Sequence, residues 1–543
     1  MKASAPTSPR LPDPHEDLEA LVDVADLIDR AQHHAFAYFE ATTDPASGLV
    51  LDSTQPEAPS SIAGVGMALT GYPIAVERGW MTRPQAAGIT LDTLRFFAGA
   101  DMAASPHATG HRGFYYHFLD MRTGTRAWKS ELSSIDTAFL VAGFIAVAQY
   151  FTRDDVHEAE IRGTARMLED RVDWAWMRNC DGAICHGWKP ERGFLRYHWV
   201  GYSEALLMMV LALGSEHHAV PASTWDHWLG GYRWRRIYGQ EHLAAGPLFI
   251  HQYSHMWIDF RGIQDAFMRE RGIDYFENSR RATLVQREYA IRNPKHFKDY
   301  CENCWGLTAS DGPGPREVTV DGRKRRLLGY AARGAPYGPD DGTVAPWASV
   351  ASLPFAPDVV IPTMQHIARM VHKHPGYMPG SSFNPTLRDG HGPPGWVSPW
   401  RFALNSGPVV LMIENYRSGL PWQLMRGSPT LRRGLERADF RGGWLSAAPW
   451  ACVDPATARR IHASRDALPP HAHPDEPRGD AAQQRDAAQH LQEPGHAHRA
   501  PAGQHRRDQP PLHRDLHALH HAHRPLAPAL HALQIGQARH AGA

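Results

Sequence analysis

The chain has 543 residues and a balanced charge, 57 Lys and Arg against 57 Asp and Glu. No whole-chain field attracts nucleic acid or an anionic membrane, so the expected partner is neutral. With 17 Trp, 17 Tyr and 19 Phe the chain can bury one or two sizeable cores, and five Cys at this length imply no disulfide framework.

Residues 1–17 are rich in Pro and polar side chains and lack a basic start followed by an apolar run. They read as a flexible N-terminal segment without a signal peptide, which makes the protein cytoplasmic, or periplasmic if the true start lies upstream. Residues 18–43 are amphipathic. Residues 63–77 and 83–98 pair as helices across a short Gly-Trp turn, and 135–151 with 156–176 make a second pair. The longest apolar stretch, 138–151, is too short to cross a bilayer, so no membrane insertion is expected.

Helical patterns continue at 202–213, 253–270, 275–293 and 362–372, and strand-like runs are few. Helical pairs recurring at intervals of about 60 residues, with long Gly/Pro/Trp-rich connections, predict an all-α fold. The architecture expected over residues 18–450 is an (α/α)6 barrel, a toroid of helical hairpins. Cys180/Cys185 and Cys301/Cys304 read as buried small hydrophobes rather than zinc ligands, and neither metal nor cofactor is expected.

Composition changes abruptly after Trp450. Residues 451–543 contain no Phe, Trp, Tyr or Lys, yet hold 14 of the 34 His. Such a segment cannot offset its ordering entropy by burial, so a disordered His/Pro/Arg-rich tail is expected. The abruptness fits out-of-frame translation of a GC-rich gene.

Two segments, 130–140 and 201–207, share one design: small residues and a carboxylate ahead of a long apolar run. A carboxylate in the first turn of a buried helix is held at its rim and stabilised by the helix dipole. On this pattern Asp136 and Glu204 form a candidate acid/base pair at one mouth of the barrel. Glu131 is a third carboxylate, which a helix-capping role explains almost as well. Loops at 111–134, 181–201 and 301–347 are crowded with Trp, Tyr and His. Aromatic faces pack on pyranose rings while polar tips take hydroxyls, so the pattern implies a glycoside-processing enzyme. In that chemistry an acid protonates the leaving oxygen while a carboxylate activates water or attacks the anomeric carbon. Glu204, flanked by Trp188, Trp199 and Tyr202, has the drier surroundings and reads as the acid, with Asp136 as the base or substrate-binding carboxylate.

Several long motifs now stand in order: Glu131-Leu132-Ser133-Ser134-Ile135-Asp136-Thr137-Ala138, Gly201-Tyr202-Ser203-Glu204-Ala205 and Tyr253-Ser254-His255-Met256-Trp257-Ile258-Asp259-Phe260-Arg261-Gly262. Trp305-Gly306-Leu307-Thr308-Ala309-Ser310-Asp311-Gly312-Pro313, Asp341-Gly342-Thr343-Val344-Ala345-Pro346 and Ile413-Glu414-Asn415-Tyr416-Arg417-Ser418-Gly419-Leu420-Pro421-Trp422 follow. Together they resemble the bacterial glucoamylase-like family. Characterised members that the chain looks like are (α/α)6-barrel hydrolases of β-1,2-glucan, and similar domains act as transglycosylases within cyclic β-1,2-glucan synthases. The resemblance implies hydrolysis of β-1,2-linked glucan or its oligosaccharides, with inversion, and it puts Asp136 and Glu204 in the catalytic cleft.

The motifs and loops nominate as sugar contacts Tyr115, Tyr116, His117, Trp188, Arg196, Trp199, Tyr202, His251, Gln252, Tyr253, Trp257, Trp305, Asp311, Trp347, Asn415 and Trp422. One departure is Asn405-Ser406 before Gly407-Pro408, where relatives are expected to carry Asp-Gln. Three other functions remain open on sequence: a β-1,2-glucan transglycosylase, a non-catalytic glycan-binding protein, and a sugar 2-epimerase shuttling protons through His186, His198, His251 or His255. The many loop aromatics suit an oligosaccharide better than a monosaccharide.

Overall fold

Apolar and amphipathic helices alternate along the chain, and that alternation sets the plan of the fold. In the computed structural model, which describes residues 23–178, 182–373, 382–388 and 394–446, the chain begins with α1 (Val24–Thr42), α2 (Ile62–Glu77) and α3 (Arg83–Ala98). There follow α4 (Ser134–Tyr150), α5 (Val156–Asp170), α6 (Trp174–Met177), α7 (Leu206–Gly214), α8 (Ser223–Leu229), α9 (Ala266–Arg271) and α10 (Tyr275–Arg292). The last are α11 (Pro346–Val350), α12 (Pro357–Lys373), α13 (Ala403–Arg417), α14 (Leu420–Arg426) and α15 (Pro429–Arg437). The expected N-terminal segment at 1–17, the tail at 451–543 and Cys180 lie outside the described residues.

α2, α4 and α7 are apolar on nearly every face, and a helix of that kind must be enclosed by others. Accordingly α4 packs on both α2 and α7, α2 on α13, and α13 on α11. Helices with one polar face back this inner layer: α1 against α13, α5 against α4, α12 against α11 and α15 against α7. The α2–α4 crossing brings backbone to backbone. A Cβ on Gly143 would stand 2.6 Å from the Gly66 carbonyl oxygen, and one on Gly66 would stand 2.2 Å from that of Phe139. No other residue type fits at such a crossing.

Charge pairs lock the layers. The Arg78 Nη2 meets Glu414 Oε1 at 2.6 Å while Gln32 Nε2 donates to Glu414 Oε2 at 2.9 Å, tying α1, the end of α2 and α13 together. Arg83 joins α3 to Glu158 of α5 at 2.7 Å. Arg333 and Asp341, both buried and 2.7 Å apart, pin the long loop ahead of α11. Each pair is hydrogen-bonded on further sides, the condition under which a buried charge is tolerated.

Several boundaries differ from expectation. The helix expected at 202–213 starts only at Leu206, so Tyr202 and Glu204 precede it. The stretch expected as one helix at 253–270 is instead one 3₁₀ turn, Tyr253–Met256, preceded by another at Leu248–His251 and followed by α9. Gly262, at φ 72°, turns the chain between them, and Asp265 caps α9 through the Met268 N–H. The helix expected over 156–176 breaks after Asp170, and Asp173 recaps α6. The helices α13–α15 were not anticipated, because Gly407 and Pro408 interrupt the apolar pattern of α13.

Strands among the described residues are short and form small sheets. One matters for the site. Leu132–Ser133, Gly187–Lys189 and Gly193–Phe194 make a three-stranded antiparallel sheet, with Leu132 opposite Trp188 and Ser133 opposite Gly187. It pins the aromatic loop after α6 against the N-terminus of α4. No described helix is long and apolar enough to cross a membrane.

Candidate active site

Ser133 ends its strand and caps α4. Its Oγ accepts the Asp136 N–H at 3.2 Å and donates back to the Asp136 carboxylate. The cap therefore fixes the side chain it introduces, and Asp136 stands at the rim of the inner layer as its sequence pattern implied. Burial pushes the Asp136 carboxyl up, while His117 and the Ser133 hydroxyl hold it down; the upward effect prevails.

His117 sits between two carboxylates. Its Nδ1 lies 3.0 Å from Glu131 Oε1 and its Nε2 3.5 Å from Asp136 Oδ2. Burial opposes protonation of the ring, but Asp136, Glu131 and Asp52 outweigh it and carry His117 to about 9. Glu131 moves the other way: despite burial, the hydrogen bond and charge of His117 bring it to about 2. A carboxylate so firmly ionised cannot serve as the proton donor. Asp52, buried close to this cluster, is pushed up to about 6 by burial, with His117 opposing and Asp136 adding.

Glu204 corrects one expectation. It precedes α7 rather than standing in its first turn, and no helix N-terminus satisfies its carboxylate. Its backbone carbonyl accepts from Ser254 Oγ at 2.9 Å, and that hydroxyl also accepts the Leu207 N–H at 3.0 Å. The side-chain Oε2 is buried without a hydrogen-bond partner. Burial, helped by the charge of Asp136, pushes Glu204 up to about 7, the range suited to a proton donor at neutral pH.

Asp136, Glu131, His117 and Glu204 line one cavity that opens to solvent. Its walls include Phe139, His186, Tyr197, Trp199, Phe249, Tyr253, Tyr330 and Leu404. Trp199 donates its indole N–H to Ser134 Oγ at 2.9 Å and stacks on His186 with ring centres 4.0 Å apart. Tyr253 donates to the Leu404 carbonyl at 2.8 Å. At Gly187 a Cβ would lie 2.2 Å from the Leu132 carbonyl oxygen, so the absence of a side chain lets the sheet close beside Glu131.

Of the nominated sugar contacts, His117, Trp199 and Tyr253 reach this cavity. Trp257, Trp305 and Trp422 are core residues whose indoles donate to Thr70 Oγ1, Thr363 Oγ1 and the His255 carbonyl. Asn415 bonds the His255 and Met256 carbonyls, and Gln252 bonds the Ala348 carbonyl and Ser352 Oγ. Tyr115 and Tyr116 point into the core, their hydroxyls donating to the carbonyls of Phe97 and Ser105. Tyr202 and His251 bond each other, and Trp347 is fully buried. Asp311 accepts from Ser398 Oγ, Arg196 is an exposed residue bonded to the Tyr197 hydroxyl, and Trp188 packs beside His111 and Trp176; none lines the cavity.

His186 and Tyr197 lay in the aromatic loop but were not singled out as sugar contacts. Phe249, Tyr330, Leu404 and Asp52 had no local signal. Of the histidines weighed for epimerisation, His186 lines the cavity, whereas His251 and His255 are core residues bonded to Tyr202 and Ser279. Among the described residues no group of three His, Cys, Asp or Glu is disposed to hold a metal ion.

A family model described as Glycoamylase, "Putative glucoamylase", matches residues 196–429. An exo β-1,2-glucooligosaccharide sophorohydrolase (non-reducing end) of Parabacteroides distasonis is 27% identical over 450 residues, which cover 76% of this chain. The chain spans 57% of that relative's length. Among solved structures, a putative glucoamylase from Bacteroides fragilis NCTC 9343 is 30% identical with a TM-score of 0.67, covering 79% of this chain and 99% of that one. An endo-β-1,2-glucanase from Chitinophaga pinensis, in complex with sophorotriose and glucose, is 28% identical with a TM-score of 0.65, covering 78% of this chain and 99% of that one. The family model over residues 196–429 and a 30% identical structure covered over 99% of its length lead to one conclusion: the chain belongs to the glucoamylase-like family.

Proposed function

We propose that this protein hydrolyses β-1,2-glucan or its oligosaccharides, with Glu204 as proton donor and Asp136 as the base that activates water. The observation that carries this reading is the pairing of two unlike carboxyl groups on one aromatic-walled cavity: Glu204, desolvated with a free oxygen, and Asp136, held by Ser133 and His117. A buried carboxyl without a donor keeps its proton more readily than one supplied with donors, and that difference in surroundings divides the two into acid and base. The acid protonates the glycosidic oxygen as the C–O bond breaks, and the base takes a proton from the water entering at the anomeric carbon. Sequence similarity to a sophorohydrolase and an endo-β-1,2-glucanase supports the linkage.

On this reading the anomeric configuration inverts, and the helical domain runs over residues 18–450. Its two layers close as an (α/α)6 ring, the 3₁₀ segment from Leu248 to Met256 with α10 taking the place of one hairpin. An experimental structure tests the closure. Incubation with linear β-1,2-glucan, and with β-1,3- and β-1,4-glucans as controls, tests the activity. Product from the β-1,2 polymer or its oligosaccharides, emerging first as the α-anomer by proton NMR, is expected. No product from any β-1,2 substrate overturns the reading, and a β-anomer overturns inversion.

A further inference from the structure

The imidazole of His117 faces an acceptor at each nitrogen: Glu131 Oε1 at 3.0 Å and Asp136 Oδ2 at 3.5 Å. Neutral imidazole has one N–H and one lone pair. In this setting the neutral form would turn a lone pair toward a buried carboxylate whichever tautomer it adopted. With both carboxyls ionised, as the base role of Asp136 requires, only the doubly protonated ring satisfies both contacts. Glu131 holds His117 at two points, since its backbone carbonyl accepts the His117 backbone N–H at 2.9 Å while its side chain meets the ring Nδ1. Phe118 closes the ring face, stacked at 4.0 Å between centres and 12° between planes, and Trp128 covers Phe118 in turn. With its nitrogens and a face so occupied, His117 has little left to offer a hydroxyl of the sugar.

Resting on the hydrolase reading above, we infer that His117 is a positioning residue: an imidazolium anchored by Glu131 that keeps the Asp136 carboxylate in place and ionised for the reaction. The assignment removes Glu131, the third candidate carboxylate, from the proton-transfer roles and makes it the counter-anion of His117. It also explains how three carboxyl groups, Glu131, Asp136 and Asp52, coexist in a buried site, since like charges brought together without a cation would drive one another to protonation. The direction of the His117 shift agrees with this account. The titratable groups facing the ring are those three; Lys189 and His186 act on Glu131 from the neighbouring strand and its lead-in.

Two measurements test the inference. The first needs no substrate. In the full chain labelled with ¹⁵N-histidine, both ring nitrogens of His117 should remain in the protonated range at pH 7.5, assigned by their loss in His117→Gln or their displacement in Glu131→Gln. A bare nitrogen at that pH overturns the imidazolium, whether or not the protein hydrolyses glucan. The second is kinetic. His117→Gln keeps a hydrogen-bonding side chain but not the charge, so the acid limb of kcat/KM should move upward by about one pH unit or more. At pH 6 kcat should fall about tenfold or more, with KM changed less than about threefold. Glu131→Gln removes a charge that itself raises Asp136, so it should move the limb less than His117→Gln does. An unmoved acid limb in both variants overturns the positioning role. Absence of wild-type hydrolysis with an intact imidazolium signal would instead count against the substrate reading.

Discussion

Ser133 and Asp136 hold each other: the serine hydroxyl accepts the aspartate N–H and donates to the aspartate carboxylate, so the helix cap of α4 and the second coordinate of the site are one structure. Removing the hydroxyl should therefore act twice. Ser133→Ala should lose about 1 kcal/mol of stability through the lost cap, a fall of about 2 °C in Tm. It should also raise the Asp136 pKa, because a donor to the charged form is gone, and move the acid limb of kcat/KM to higher pH. Ser133→Thr should restore both. Thermal melts and pH–rate profiles on the three proteins check this, and a loss of stability with no movement of the limb would reduce Ser133 to a cap.

Glu204 links activity to pH-dependent stability. Its carboxyl is raised from an ordinary 4.5 to about 7, burial being the main cause. For a group raised in the folded state, the stabilising contribution is fully present below 4.5 and is lost as the pH rises through about 7. Glu204→Gln cannot ionise, so it should escape that loss and become more stable than the wild type above pH 7, by up to about 3 kcal/mol. Its kcat should fall by about 10² to 10⁴, since the amide cannot donate a proton as an acid. Denaturation at pH 5 and pH 8, set beside the kinetics, distinguishes this from unfolding. In the wild type the same group should set the basic limb of the rate profile near pH 7.

How much of this was legible depended on whether the signal was local. Helix α3 matched its expected bounds of 83–98, and its start is written locally: Thr82 and Gln85 form a capping box and Pro84 sits in the first turn. Asp136 was legible for the same reason, its cap and apolar helix lying side by side. Glu204 was found by a pattern whose local meaning was different: the apolar run after it is a helix, but the helix begins two residues later and leaves the carboxylate desolvated. Of the residues nominated from the motifs at 253–262, 305–313 and 413–422, only Tyr253 lines the cavity. Their Trp and Asn side chains bond partners far along the chain, as Trp257 does with Thr70, and a local reading cannot tell such a core indole from an exposed platform. Tyr330, Phe249 and Leu404 meet the cavity only through tertiary packing, and Asp52 draws its character from charges brought to it by folding.

The position of Trp188 separates sugar contact from scaffold. Its ring lies against His111 and Trp176, across the sheet from the cavity, whereas Tyr197 lines the cavity wall. Tyr197→Ala should raise KM for β-1,2-glucooligosaccharides by about three- to tenfold, because a wall that packs on the sugar supports ground state and transition state alike. Trp188→Ala should cost stability and leave KM within about twofold of the wild type. The reverse ordering of the two KM values would place the binding surface on the other side of the hairpin.

Gly143 and Gly163 make a matched test of the inner and outer layers. Both are helical glycines, and glycine in a helix costs about 1 kcal/mol relative to alanine. Around Gly163 in α5 a new Cβ meets nothing within 4 Å, so Gly163→Ala should stabilise the protein by about 0.5 to 1 kcal/mol. In α4 a Cβ at Gly143 would strike the Gly66 carbonyl oxygen at 2.6 Å and the Gly66 Cα at 2.8 Å. Backbone atoms cannot swing aside as a side chain can, so the two helices must separate or twist. Gly143→Ala should lose about 3 kcal/mol despite the better helix propensity. Because α4 also carries Asp136, that separation should lower kcat as well as Tm. Equal stabilisation of both variants in chemical denaturation would show that α2 and α4 do not cross as closely as described.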